Sequence, residues 1–237
     1  MDSSLNSSVR GAKRRGNPVA ALDCFATLAM TMKILTALSA LLALSACDTL
    51  RQPARMIPPA VDDWRSVATQ DDRDRLRGWR STFVKALAAA RAAGHGADIA
   101  GEGALLDPDA AIGGVPIPNG DYKCRVIKVG AKNTGLLDYI AYPAFQCRIE
   151  QQLYRQHFVK RTGSQRQVGI LFPDDAMRQV FLGTIVLGTE TRAMQYGVDE
   201  MRDVAGFVER IGPNRWRLVM PEPHYESQVD VMELVPA

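Results

Sequence analysis

Two short stretches, DYKCRV (Asp121–Val126) and FQCRIE (Phe145–Glu150), decide how the second half of this chain folds. In the first, Tyr122, Cys124 and Val126 alternate with charged residues; in the second, Phe145, Cys147 and Ile149 alternate with Gln146, Arg148 and Glu150. Successive side chains of an extended strand point to opposite faces, so each stretch has one apolar face and one wet face. Both cysteines therefore turn toward a single core.

The same period continues toward the C-terminus. Further strand candidates run over Leu153–Lys160, Gln167–Phe172, Gln179–Leu187, Val204–Ile211, Arg215–Met220 and Gln228–Leu234. Thr162-Gly163-Ser164, Pro173-Asp174-Asp175 and Gly212-Pro213-Asn214 punctuate them as turns. Strands spaced this closely leave no room for the crossover helices that parallel pairing needs. The chain is expected to be mostly β: an antiparallel meander of about eight strands, closing into a small barrel as first choice and a sandwich as second.

Upstream the period lengthens. Thr69 followed by Asp72 predicts an N-cap with an acidic first turn, and Leu76, Trp79, Phe83, Leu87 and Ala90 recur three and four apart. This is the stripe of an amphipathic N-terminal helix, ended by Gly94, and such a stripe is core packing far more often than a ligand platform. Gly94 to Gly120 reads as a loop. Its Asp107-Pro108-Asp109 lacks the further oxygens a calcium loop requires and reads as turn chemistry.

The stretch MKILTALSALLALSAC (Met32–Cys47) looks like a second beginning. Lys33 supplies a charge, Ile34 to Leu44 an apolar run, and small residues a cleavage site, the parts of a secretory signal. The run is too short for a permanent span, which takes about 20 apolar residues. Leu44-Ser45-Ala46-Cys47 resembles the bacterial lipobox, which implies diacylglycerol on the Cys47 thiol and cleavage before it. Ordinary cleavage after Ala46 is the alternative and would leave Cys47 unmodified. Residues 1–31 are expected to be an upstream extension from a misassigned start, 32–46 the lipoprotein signal peptide, 47–61 a proline-containing tether and 62–237 a single periplasmic domain. The expected location is the envelope of a Gram-negative bacterium, lipid-anchored and facing the periplasm. Asp48, directly after the cysteine, resembles an inner-membrane retention signal of enteric bacteria, a rule other bacteria break, so inner and outer membrane both stay open.

The chain carries 29 Lys and Arg against 26 Asp and Glu, but five of the basic and two of the acidic residues precede Cys47. The mature chain is therefore neutral, with no basic block to serve as a nucleic-acid footprint. With Cys24 removed and Cys47 lipidated, Cys124 and Cys147 remain in an oxidising compartment, and a disulfide is expected. A free catalytic thiol or a metal site would want an activating partner or further ligands at short spacing, and neither is visible.

Gly120-Asp121-Tyr122-Lys123-Cys124-Arg125, Thr162-Gly163-Ser164-Gln165-Arg166, Phe181-Leu182-Gly183 and Ala205-Gly206 through Glu209-Arg210-Ile211-Gly212 to Arg215-Trp216-Arg217-Leu218 resemble an uncharacterised family of bacterial envelope proteins, catalogued only as a domain of unknown function. The resemblance covers about Asp62 to Ala237 and implies no activity.

Candidate chemistry is sparse. Ser164 is the nearest thing to a nucleophile, but Gln and Arg follow it where the hydrolase elbow G-x-S-x-G places other residues. His95, His157 and His224 show no zinc spacing, and no metal or cofactor is expected. The adjacent acids Asp62-Asp63, Asp71-Asp72 and Asp174-Asp175 suit capping and turns better than paired acid/base catalysis. Arg166, Arg210, Arg215 and Arg217 could hold an anion if they converged at a barrel mouth. The expected function is a non-enzymatic binding or accessory module, its partners being the membrane through the lipid anchor and a small ligand or envelope protein. A periplasmic peptidase inhibitor and a hydrolase using Ser164 are the alternatives.

Replacing Cys47 with Ser should leave an uncleaved precursor, and mass spectrometry of the wild-type mature protein should find diacylglycerol at its first residue. A mature protein without lipid would refute the lipobox reading.

Overall fold

The computed structural model describes residues 63–237; the signal segment, the Cys47 lipidation site and the tether lie outside them. Nine strands follow two helices: β1 (Gly120–Ala131), β2 (Tyr139–Ala141), β3 (Phe145–Gln152), β4 (Arg155–Lys160), β5 (Gln165–Pro173), β6 (Arg178–Leu187), β7 (Asp203–Gly212), β8 (Arg215–Pro221) and β9 (Ser227–Pro236). Every pairing is antiparallel. β3 to β9 pair in sequence order, and β9 returns to β1, from Tyr122 opposite Pro236 to Ala131 opposite Ser227. The sheet is thus a closed barrel, not a sandwich, and closure leaves no long edge to template aggregation.

β1 is longer than the strand beside it, and β2 makes up the difference. Its lower half pairs with β3 and its upper half with β2. From Ile127 to Cys124 is three steps, whereas from Ala141 to Phe145 is four, so β2 and β3 are one strand interrupted by a bulge. Pro143 sits in that bulge, where a missing backbone N–H costs no ladder bond. β2 has too few residues to show a period, which is why alternation alone does not reveal it.

Even-numbered side chains of β1 face inward with odd-numbered ones of β3, and the barrel interior is filled. Phe158 meets Phe181 edge-on at 5.7 Å, and Tyr122 meets Trp216 at 6.2 Å, in one cluster with Ile149, Leu218 and Met232. Room for the Phe181 ring comes from Gly169 and Gly183, which face each other across β5 and β6; a Cβ at Gly183 would stand 2.5 Å from the ring. Cys124 and Cys147 form a disulfide inside this cluster, their Cα atoms 5.9 Å apart.

The outer face of β1, β6, β7, β8 and β9 is also apolar, and α1 (Gln70–Ala92) covers it. Thr69 accepts the Asp72 N–H at the start of the helix, while Leu76, Trp79, Phe83, Ala86, Leu87 and Ala90 are buried. The segment from Gly94 to Gly120 is not simply a loop, as its glycines suggest. It contains α2 (Gly96–Glu102) and a 3-10 turn (Gly103–Leu106), because Ile99, Leu105 and Leu106 find apolar partners beside α1 that its composition does not advertise. No helix among the described residues is long and apolar enough to cross a membrane.

Arg217 holds this outer layer to the barrel. It is fully buried on the outward side of β8, pairs with equally buried Glu209 on β7 at 2.7 Å, and donates to the carbonyls of Ala104, Leu105, Asp107 and Pro108. Arg178 meets the other Glu209 oxygen at 2.6 Å. Every charge in the group has a partner, the condition under which burying it is tolerable.

Two outcomes follow. Replacing both Cys124 and Cys147 with Ala should lower unfolding free energy by roughly 3 kcal/mol for a closed loop of this size, read from urea midpoints, and the native unreduced protein should offer no thiol to a labelling reagent. Arg217→Met should cost more, about 3–5 kcal/mol, because it leaves buried Glu209 with Arg178 alone and removes the donor from four backbone carbonyls; the loss should be smaller in the double variant with Glu209→Gln.

Candidate functional site

A barrel filled through its middle has its chemistry at its ends. The lower mouth, where β1 begins, is crossed by residues 113–119. Ile117 inserts its side chain into the interior cluster, its N–H donates to Gln179 Oε1 at 2.9 Å, and its carbonyl accepts from Gln156 Nε2 at 2.7 Å. An open groove of about 580 Å³ lies outside this plug, walled by Pro116, Tyr154 and Leu171. Its glutamines are already bonded to one another and to the plug, as Gln179 Nε2 on Gln156 Oε1 at 3.0 Å shows. They hold the segment in place.

The upper mouth is built differently. Here the inward positions of the strands change from apolar to polar: Lys128 follows Val126 on β1, Lys160 follows Phe158 on β4, Gln167 precedes Leu171 on β5, and Asp230 precedes Met232 on β9. All four are buried. They line a pocket of about 110 Å³ together with Glu226 and Ser164.

Lys128 is matched. It stands opposite Asp230 in the ladder, with Nζ 2.9 Å from that carboxylate and 3.1 Å from Glu226. Burial alone would pull its pKa down, but the two carboxylates outweigh burial and hold it above the usual lysine value. Ser227 donates its hydroxyl to Asp230, and Glu226 is held at φ +68° at the rim, an uncommon conformation for a residue with a Cβ.

Lys160 is not matched. Its ammonium donates to the Gln165 carbonyl at 2.8 Å and lies 3.8 Å from the centre of the Phe145 ring, but it forms no ion pair among the described residues. Burial first, and the Lys128 charge second, push its pKa down to about 8. Beside it Gln167, only 2% exposed, has a buried side-chain carbonyl oxygen that accepts no hydrogen bond from the protein. A buried polar atom left without a partner costs free energy, so its survival calls for an explanation.

The residues singled out from sequence are dispersed. Ser164 is exposed at the rim of this pocket, and no histidine lines it. His157 stands opposite Glu150 on the outward side of β4, His95 contacts Asp98 at 2.9 Å and stacks on Tyr139, and His224 lies in the β8–β9 loop. The four arginines do not converge. Arg166 binds the carbonyls of Gly163, Gly188 and Glu190, Arg210 those of Gly212 and Pro213, Arg215 pairs with Glu233, and Arg217 is buried beneath the outer layer. Arg166 and Arg210 are occupied in closing turns by gathering backbone carbonyls, and Arg215 and Arg217 are held by carboxylates. The signal for the pocket lysines and Gln167 in the sequence is that each is a polar residue at the inward phase of an otherwise apolar strand face.

No curated protein and no solved structure matches the chain. The family model described as a domain of unknown function, DUF4893, matches residues 64–234, from the first described turn to the last strand of the barrel. The chain belongs to the DUF4893 family.

Proposed function

We propose that this protein is a lipid-anchored binding module of the cell envelope, tethered through Cys47, whose barrel takes a small polar ligand at its upper mouth. The observation that carries the reading is the pair Lys160 and Gln167: a buried cation without a carboxylate and a buried acceptor without a donor, side by side in one pocket. A ligand bearing complementary groups supplies both. The pocket is small, well under the 300 Å³ or more of drug-sized sites, and so favours a ligand of few atoms. Hydrolysis at Ser164 would need a base oriented toward that hydroxyl, and the only amine of the pocket with a lowered pKa, Lys160, already donates to Gln165 and rests on Phe145.

Two measurements test this. In a strain lacking the gene, the full chain carrying Lys160→Met should fold and fail to restore function, whereas His157→Ala, outside the pocket, should restore it; a functional Lys160→Met protein would refute the reading. Stability against pH checks the unmatched charge itself. With the folded pKa near 8 and the unfolded value near 10.4, the unfolded chain holds more protons between those limits, so the wild type should gain stability relative to Lys160→Met as pH rises through that window. Parallel urea midpoints from pH 7.5 to 10 would show that Lys160 is compensated after all.

A further inference from the structure

Taking that binding reading as its basis, we infer that the upper pocket recognises a small free amino acid as its zwitterion, glycine or alanine in size, with the ligand carboxylate on Lys160 and the ligand ammonium on the Gln167 carbonyl and the Glu226 carboxylate.

The charges of the pocket are divided between two walls. Around the barrel β4 and β5 are neighbours, and β9, next to β1, lies across from β5. Lys160 and Gln167 therefore stand on one wall, and Asp230 with Glu226 on the other, where Lys128 meets two carboxylates with one ammonium. One wall carries a positive charge in excess and the other a negative charge, although the four charged side chains sum to zero. A lone anion would leave the Gln167 oxygen unanswered and the part-exposed Glu226 carboxylate sharing the Lys128 ammonium with Asp230, and a lone cation would leave Lys160 unanswered. A ligand with both charges answers both, which is the condition for burying ionic groups without a large penalty.

Size narrows the class. A space of about 110 Å³, well below that of drug-sized sites, suits a molecule of few heavy atoms. Glycine and alanine are of that size, and the Val126 side chain and the Phe145 and Tyr142 rings offer an apolar surface to a methyl group. Glu226 projects its carboxylate from a loop residue in the left-handed region and has its backbone carbonyl bonded by Lys132 N–H at 2.9 Å, so the acidic wall is held in place before a ligand arrives.

The experiment is isothermal titration and thermal unfolding of the full-length lipoprotein in detergent, with glycine, L-alanine, D-alanine, leucine, acetate and ethylamine as probes. Glycine or an alanine enantiomer should bind and raise the melting temperature, with affinity at least tenfold above that of acetate or ethylamine, each of which carries half of the ligand's charge. Leucine should bind at least tenfold more weakly than alanine, and equal binding would overturn the size assignment. Lys160→Met and Gln167→Met should each weaken amino-acid binding tenfold or more, and because both replacements keep side-chain length and remove a buried polar group, a melting temperature equal to or above that of the wild type shows that the fold survived. Acetate binding as tightly as alanine, lost in Lys160→Met, would overturn the zwitterion and leave a simple anion pocket. No binding by any probe, while Lys160→Met still fails in the cell, would overturn the amino-acid inference and leave the binding reading standing. No binding together with a functional Lys160→Met would remove both.

Discussion

Closure of β9 onto β1 is the constraint from which the rest of this structure follows. The pairing runs from Tyr122 opposite Pro236 to Ala131 opposite Ser227, nearly the whole length of both strands. It fixes which side chains face inward, because a slip of one residue would turn every one of them to the other face. With the register set, Cys124 reaches Cys147, Lys128 meets Asp230, and the even positions of β9 complete the interior. The closure joins the first strand of the barrel to the last, so it forms across more than ninety residues of intervening chain, a costly contact in loop entropy. The disulfide between the first two long strands, at a sequence separation of 23, ties one side of the barrel far more locally.

Filling the barrel decides where function can reside. Two aromatic pairs occupy the middle, and the glycine pair of β5 and β6 exists to admit one of those rings. A solid interior is a poor container but a rigid frame, and its strand ends hold side chains more exactingly than a mobile loop would. The two mouths use that frame differently. At the lower one Gln156 and Gln179 are consumed in holding Ile117, so polarity there is structural. At the upper one the polar groups are incompletely answered within the protein, and that imbalance is the feature that points to a ligand.

Buried charge occurs twice in this domain, with opposite meanings. Glu209 and Arg217 lie between barrel and outer layer, fully paired and surrounded by carbonyls, and their role is to join the 104–108 segment to β7 and β8. Lys160 lies at the mouth with a carbonyl and an aromatic face as its neighbours. Burial alone does not distinguish a structural charge from a functional one. The state of its partners does.

The alternation in Asp121–Val126 and Phe145–Glu150, followed by six short stretches punctuated by turn residues, carried the antiparallel barrel and the inward direction of both cysteines, because a strand's period of two is a local property written residue by residue. The short helix at Gly96–Glu102 and the three-residue strand at Tyr139–Ala141 escaped that reading, since neither is long enough to display a period and both owe their existence to the surfaces they meet. The arginines looked like a site because their charge is visible in the chain, whereas the partners that occupy Arg166 and Arg217 come largely from distant backbone that no spacing reveals. Lys160 and Gln167 showed the reverse. Their inward phase could be read from their strands, but that one lacks a carboxylate and the other a donor depends on what stands across the barrel, and only the register of the closed sheet sets that.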